Sequence, residues 1–303
     1  MNDTANGPIQ IFDRASVRRH RARADLSGEH GFLFRELAER LAERLGEFDR
    51  NFANAALFGD RAGLLQVALD STGVKTLRGV HSLFTVADEI SESVAGYDDD
   101  ALNLGVAKLD LVMSHLTLHW INDLPGVLLQ INKALRPDGL FLSSMFGGET
   151  LTELRQALSI AEEEIEGGVS PRVSPFIDIR DAGALLQRAG FALPLADIDT
   201  IVVTYEDIFS LMQDLRGMGE TNAVHQRRKT FVRQETLMRA GEIYAQEFSD
   251  SDGRLRATFQ TVFLTGWAPD ESQPKPLRPG SAKARLADAL GTEEIPTGEK
   301  PGH

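Results

Sequence analysis

Between Phe32 and Phe48 apolar residues recur every third or fourth position, with charges filling the gaps. Phe32, Phe34, Leu37, Leu41, Leu45 and Phe48 form one side of an amphipathic helix, which predicts a core face rather than a ligand-binding set. From about residue 52 the pattern changes. Short apolar runs alternate with helical ones, which predicts an α/β fold, a doubly wound and mostly parallel sheet. Strand one falls at 54–58, its helix at 64–71, strand two at 76–80, a third near 92–96 and a fourth at 109–114. Residues 123–135 read as a helix, with Asn122 or Asp123 at its N-cap and Pro125 in its first turn. Pro137-Asp138-Gly139 marks a turn into strand five at 140–145.

The same pattern places a helix at 151–166, closed by Gly167-Gly168, and an irregular loop with two prolines at 170–176. Asp178 caps a helix that stops at Gly190. The last two strands fall at 198–205 and 258–267, with helices at 206–216 and 236–248 between them. Three regions follow. Residues 1–50 are a basic N-terminal segment and helical cover, and 51–268 are the domain proper, with a helical insertion near 206–250. Residues 269–303 are rich in proline, lysine and small side chains, a tail expected to be disordered.

Composition narrows the chemistry. The 303 residues include no cysteine, which removes disulfides, thiolate nucleophiles and cysteine-ligated metal centres. A net charge of −13 would repel a phosphate backbone, so no nucleic-acid partner is expected. No apolar run approaches the roughly 18 residues of a membrane span, and the N-terminus lacks the apolar core of a secretory signal. The expectation is an intracellular, cytoplasmic protein without a transmembrane segment. Against the acidic average, Arg14, Arg18, Arg19, Arg21 and Arg23 cluster with His20 and no intervening acid. That cluster reads as a solvated helical face, or as a mobile lid or docking surface for an acidic partner.

In open α/β sheets ligands bind at the carboxyl ends of the strands, where the segment Ser114 to Trp120 lies. Trp120 beside His119 reads as an amphipathic pocket wall. His115 and His119 are four apart, but two histidines without a third ligand make a poor site, and no metal is expected. The first strand-to-helix turn, Leu57-Phe58-Gly59-Asp60-Arg61-Ala62-Gly63, has two of the glycines of a nucleotide-binding turn and a bulky arginine between them. His81 closes strand two, where nucleoside-binding sheets carry an acid. Glu149 follows paired glycines after strand five and reads equally as a base, an orienting group or a favourable charge at a helix N-terminus. No serine–histidine–aspartate order, P-loop or zinc-protease helix is present, so no catalytic acid–base pair is assigned.

Several stretches carry a resemblance to a known family. They are Ile11-Phe-Asp-Arg14, Leu118-His-Trp-Ile-Asn-Asp-Leu-Pro125, Leu135-Arg-Pro-Asp-Gly-Leu-Phe141, Met145-Phe-Gly-Gly-Glu-Thr-Leu151, Gly168-Val-Ser-Pro-Arg-Val-Ser-Pro-Phe176, Asp214-Leu-Arg-Gly-Met-Gly-Glu-Thr-Asn222 and Gly266-Trp-Ala. The chain resembles the class I S-adenosylmethionine-dependent methyltransferases, and more narrowly the subfamily of respiratory complex I assembly factor 5. That resemblance implies a seven-stranded sheet with an antiparallel last strand and S-adenosylmethionine as cofactor. It places the cofactor on Gly59, Asp60, Gly63, His81, Asp99 and Ser114, and the acceptor near Trp120, Asn122, Glu149, Phe176 and Arg216.

It also implies a protein acceptor on the quinone-module subunit of complex I, reached from the cytoplasm at the inner face of the membrane. The reaction is then methyl transfer or arginine hydroxylation, with a non-catalytic chaperone as the third reading. The chain departs from the family pattern in the cofactor half. Leu57 stands for an acid, Arg61 for the middle glycine and His81 for the ribose-binding acid. Two lost charged hydrogen bonds would weaken cofactor binding by about a hundredfold or more.

Overall fold

Four consecutive buried residues, Ala55–Phe58, have no polar side to turn to solvent, so this segment is covered on both faces as the centre of a parallel sheet must be. It is β1. The structure, a computed structural model, describes residues 10–72, 80–82, 101–102 and 104–274, with the backbone alone at 80–82. Around β1 the described strands are β2 (Val80–Ser82), β3 (Leu109–His115), β4 (Leu135–Phe146), β5 (Ala192–Tyr205) and β6 (Leu255–Trp267). Their order across the sheet is β2-β1-β3-β4-β6-β5. β1 pairs in parallel with β2 and β3, and β3 with β4. β6 inserts antiparallel between β4 and β5. This is the doubly wound, mostly parallel α/β class. Six strands are seen among the described residues, and the expected strand near 92–96 lies outside them.

Eight α-helices flank the described sheet: α1 (Arg14–Ala22), α2 (Phe32–Gly46), α3 (Leu64–Ser71), α4 (Leu124–Ala134), α5 (Thr152–Glu166), α6 (Ile179–Arg188), α7 (Ile208–Met218) and α8 (Gln234–Phe248). On one face the apolar stripes of α2, α3, α5, α7 and α8 share a core with Leu57, Leu111, Met113 and Leu142. On the other, α4 and α6 pack on Ala56, Phe58, Val112 and Phe141. Caps set several helix starts. Asp123 accepts from Gly126 N and Asp178 from Arg180 N, satisfying amides that have no partner within the helix. A small third cluster of Phe12, Val17, Trp120, Ala223 and Val224 binds the N-terminal segment to the rest.

The elements differ from the sequence pattern mostly at strand starts. α4 ends at Ala134, and β4 begins at once with Leu135. The Pro137–Gly139 turn is thus carried inside β4 as an irregularity, with Asp138 at φ 61°. β5 begins six residues ahead of its predicted start of 198. Its leading segment sits at the sheet edge, alternates half-buried with exposed positions, and contains Pro194, which an edge strand tolerates. The described residues through Pro269 pack as one unit. From 275 onward the expected tail lies outside the described residues.

Candidate functional site

β1 delivers the chain to the carboxyl edge of the sheet at Gly59. Gly59 has φ 76°, and a Cβ there would fall 1.9 Å from Thr117 Oγ1. Only glycine lets the end of β3 approach this turn so closely. Thr117 in turn donates to His115 O at 3.0 Å. The turn ends at Gly63, with φ 66° and no atom of a described residue within 4 Å of the place a Cβ would occupy. Among the described residues one face of the turn is therefore open. Asp60 points into the protein, where its carboxylate accepts from Leu65 N at 2.8 Å and Gln66 N at 3.2 Å. It fastens the first turn of α3, and burial pushes its pKa up despite those bonds.

Arg61 stands where the resemblance implies a glycine, and its side chain enters a buried knot. Nη1 donates to Glu220 Oε1 at 2.7 Å, Nη2 to Met218 O at 2.5 Å, and the guanidinium lies 4.8 Å over the Phe34 ring. Glu220 fills its other oxygen, Oε2, with Trp120 Nε1 at 2.8 Å and His119 Nε2 at 3.1 Å. Both members of the ion pair are 4% exposed. Burial alone would raise the Glu220 pKa, but the His119 hydrogen bond and the charges around it hold it at about 2. Burial draws Arg61 down to about 10 while Glu220 opposes the shift. The knot ties the turn after β1, the 3₁₀ turn Leu118–Trp120 after β3 and the loop after α7. Gly219, at φ 74°, makes it possible, since a Cβ there would stand 2.7 Å from Arg61 Nη2.

A second arginine reaches the same place. Arg21 on α1 has Nε and Nη2 buried without a hydrogen-bond partner among the described residues, and its charge acts on Arg61, His119 and Glu220. The knot holds no ready base. His119 is buried and its pKa is lowered by desolvation, partly offset by Glu220. Its Nδ1 faces Phe146 N at 3.4 Å, so the proton sits on Nε2, directed at Glu220. His115 takes no part. It bonds Ser144 Oγ and Phe34 O at 2.9 and 3.0 Å, and full burial lowers its pKa to about 3. Among the described residues no three histidine, aspartate or glutamate side chains converge as a metal site.

The other residues singled out in the sequence disperse. Trp120 is buried and spent on Glu220 and on an edge-to-face contact with Phe12 at 5.2 Å. Asn122 staples the N-terminal segment: it accepts from Phe12 N at 2.8 Å and donates to Phe12 O at 3.2 Å. Glu149 is exposed and lines neither cavity described below, so it is not brought to this site. Ser114 is fully buried, and its Oγ has no partner among the described residues. His81 lies in β2 opposite Ala56, with its side chain outside the description, and Asp99 lies outside the described residues.

Phe176 and Arg216 both line a cavity of about 910 Å³ between α1, α5, α7 and the loop before α8. Phe176 also borders a smaller apolar cavity of about 260 Å³ with His119, Asn122 and Phe12. Glu220 reaches the wall of the large cavity, so the knot joins the turn to it. Glu220 was not singled out in the sequence, although it sits in the quoted stretch Gly217-Met-Gly-Glu220. The unusual Arg61, in need of an acid, was the available signal.

The order of strands, the glycine turn at the carboxyl edge and the helices on both faces define a methyltransferase-like α/β domain. The profile of the family described as a methyltransferase domain matches residues 13–194, and the chain belongs to that family. It is 37% identical to arginine-hydroxylase NDUFAF5, a mitochondrial protein of Homo sapiens, over 98% of this chain and 88% of that one. It is 30% identical to the malonyl-[acyl-carrier protein] O-methyltransferase of Xylella fastidiosa (strain M23), over 86% of this chain and 89% of that one. Among solved structures, the YcgJ protein of Bacillus subtilis aligns with a TM-score of 0.44 and 11% identity over 76% of this chain and 98% of that one. No helix among the described residues is long and apolar enough to cross a membrane.

Proposed function

We propose that the chain is an S-adenosylmethionine-binding enzyme that modifies a protein acceptor, a quinone-module subunit of respiratory complex I. The observation that carries this is the glycine turn after β1, with Gly59 and Gly63 at positive φ and no atom of a described residue within 4 Å of the place a Gly63 Cβ would occupy. The described part of the turn fits the methionine end of the cofactor. Gly59 and Gly63 give it backbone to lie against, and Arg21, whose charge reaches Arg61 and Glu220, is the cation for its carboxylate. Arg61 does not obstruct, because Glu220 holds it away. When bound, the cofactor supplies an electrophilic methyl group on a sulfonium.

The chain's own part is alignment and exclusion of water. The rings of Phe146 and Phe176, each within 6.0 Å of His119, wall the site on one side. Glu220, held at about 2 with both oxygens engaged, is too weak a base to take a proton at neutral pH. Among the described residues of the knot the acceptor meets no general base.

Hydroxylation of an arginine is the second reading, supported by the 37% identity to a protein named as an arginine hydroxylase. The working place is the bacterial cytoplasm, with the membrane reached through the partner. Calorimetry of purified full-length protein with S-adenosylmethionine and S-adenosylhomocysteine tests the cofactor; no heat from either ends the proposal. Mass spectrometry of the complex I subunit from cells with and without this gene then separates a methyl from an oxygen increment.

A further inference from the structure

The large cavity has a charge that the proposed reaction does not use. Seven arginine and lysine residues line it in a chain of net charge −13, and they fall into two groups. Arg172 and Arg228 are paired with Glu162 and Glu166, and Arg227 with Asp13. Those three are structural, tying α5 and the N-terminal segment to the loop before α8.

The remaining four have no carboxylate within reach among the described residues. Arg19 gives Nη2 to Ser16 Oγ and Arg23 gives Nε to Arg19 O, and neither Arg216 nor Lys229 has an ion-pair partner. All four are exposed. Glu220 is the only acid among the cavity's lining residues, and Arg61 already balances it. The rim is thus a net cation that no part of the described chain neutralises.

Below the rim the lining is apolar: Leu151, Leu154, Leu158, Met212 and Leu215. At the mouth Phe231 is 99% exposed, a large ring presented to solvent beside Lys229. Exposed apolar surface edged with unpaired charge marks an interaction site. The four free cations come from three separate places: Arg19 on α1 with Arg23 at its C-cap, Arg216 on α7, and Lys229 in the loop before α8. A small anion would call for donors converging on one point. Cations spread along a rim, above an apolar floor, suit an extended chain that sets acids against the rim and apolar side chains into the floor.

We propose that this cavity is the docking site for an acidic, apolar-anchored segment of the partner protein. The inference rests on the reading above only in taking the partner to be a protein. It deepens that reading by separating recognition from chemistry. An acceptor arginine is repelled by this rim, so the cavity holds the segment beside the modified residue and not the modified side chain itself. Charge complementarity of this kind sets partner choice and association rate, and it weakens as salt rises.

The test is fluorescence anisotropy of full-length protein, without cofactor, against a short labelled peptide alternating glutamate with leucine and phenylalanine. Probes for comparison are the same peptide with lysine for glutamate, an acidic peptide with serine for the apolar residues, a single-stranded oligonucleotide and vesicles of anionic phospholipid. The acidic-apolar peptide is expected to bind at least about tenfold more tightly than either altered peptide, and R216E with K229E to cost about tenfold or more. K133E, an exposed change on α4, is the control and leaves affinity unchanged. If the double reversal impairs folding, titration of the wild type with sodium chloride reads the same charge dependence. Equal affinity for the lysine peptide, indifference to the double reversal or to salt, or stronger binding to oligonucleotide or vesicles overturns the proposal. Because no cofactor is present, failure here leaves the calorimetric test of the turn standing, and failure of that test leaves this one standing.

Discussion

The turn after β1 and the large cavity beside it both bring arginine to an apolar setting, and they treat it in opposite ways. In the turn, Arg61 is shut in with Glu220, Met218 O and the Phe34 ring. At the cavity rim, Arg19, Arg23 and Arg216 face solvent with no acid. A buried charge with a partner is a structural lock, costly to break because removing one member strands the other. An exposed charge without one contributes little to folding and remains free for a ligand. Arg21, half-buried and unpartnered beside the lock, falls between the two.

This contrast orders the expected effects. Breaking the lock has the largest. Glu220→Gln leaves Arg61 charged and buried, and should destabilise the fold by about 3–5 kcal/mol. Thermal denaturation would then show a loss on the order of 10 °C. A change of only a degree or two would mean that water or another group reaches Arg61.

Acid should weaken the same core. His115 is neutral in the fold, with a pKa drawn from 6.5 to about 3 by burial. Below pH 6.5 the unfolded chain gains a proton that the folded chain refuses. The stability this group contributes is complete above 6.5 and falls as pH drops toward 3. Glu220, lowered from 4.5 to about 2, adds a loss of the same sign that begins near 4.5. Urea midpoints between pH 7 and 4.5 should fall in wild type, and His115→Gln should remove roughly 2–3 kcal/mol of that dependence. A wild-type profile that is flat over this range contradicts the buried, neutral assignment.

Arg21 separates ligand binding from folding. Arg21→Met should weaken S-adenosylhomocysteine binding about tenfold, roughly 1.4 kcal/mol, while the melting temperature stays within a few degrees because no hydrogen bond is lost. Loss of stability without loss of affinity would make Arg21 structural. Smallest of all is the tail. A chain ending at Pro269 should lose about 1 kcal/mol or less, and a larger drop in melting temperature would show that the tail packs on the domain.

Local pattern made much of the fold legible. The apolar stripe of α2 and the buried runs of β1 and β3 each announce a type and a burial, because periodicity reports the environment of every residue in the element. The start of β5 was hidden, since an edge strand with Pro194 and mixed burial lacks that signal. The site was less legible for a different reason. Gly59 and Gly63 are visible in the turn, and their conformations follow from having no side chain. Asn122 looked like an acceptor-side group, yet its amide is used by the backbone of Phe12, 110 positions away. Arg61 looked like damage to a cofactor turn, because its residue type was visible while its partner lies 159 positions along the chain. A long-range ion pair leaves no trace in local spacing.

That pair is the centre of the account, and a double-mutant cycle tests it. Stability of wild type, Arg61→Met, Glu220→Gln and the double variant is measured by urea denaturation. If Arg61 is locked by Glu220, each single change strands a buried polar partner. The double variant should then be more stable than the sum of the two losses predicts by about 2–3 kcal/mol. Arg61→Gly, which would restore the family's glycine, should destabilise the protein for the same reason instead of merely opening the turn. Additive losses in the cycle, together with an Arg61→Gly protein as stable as wild type that binds S-adenosylmethionine more tightly, would contradict the account.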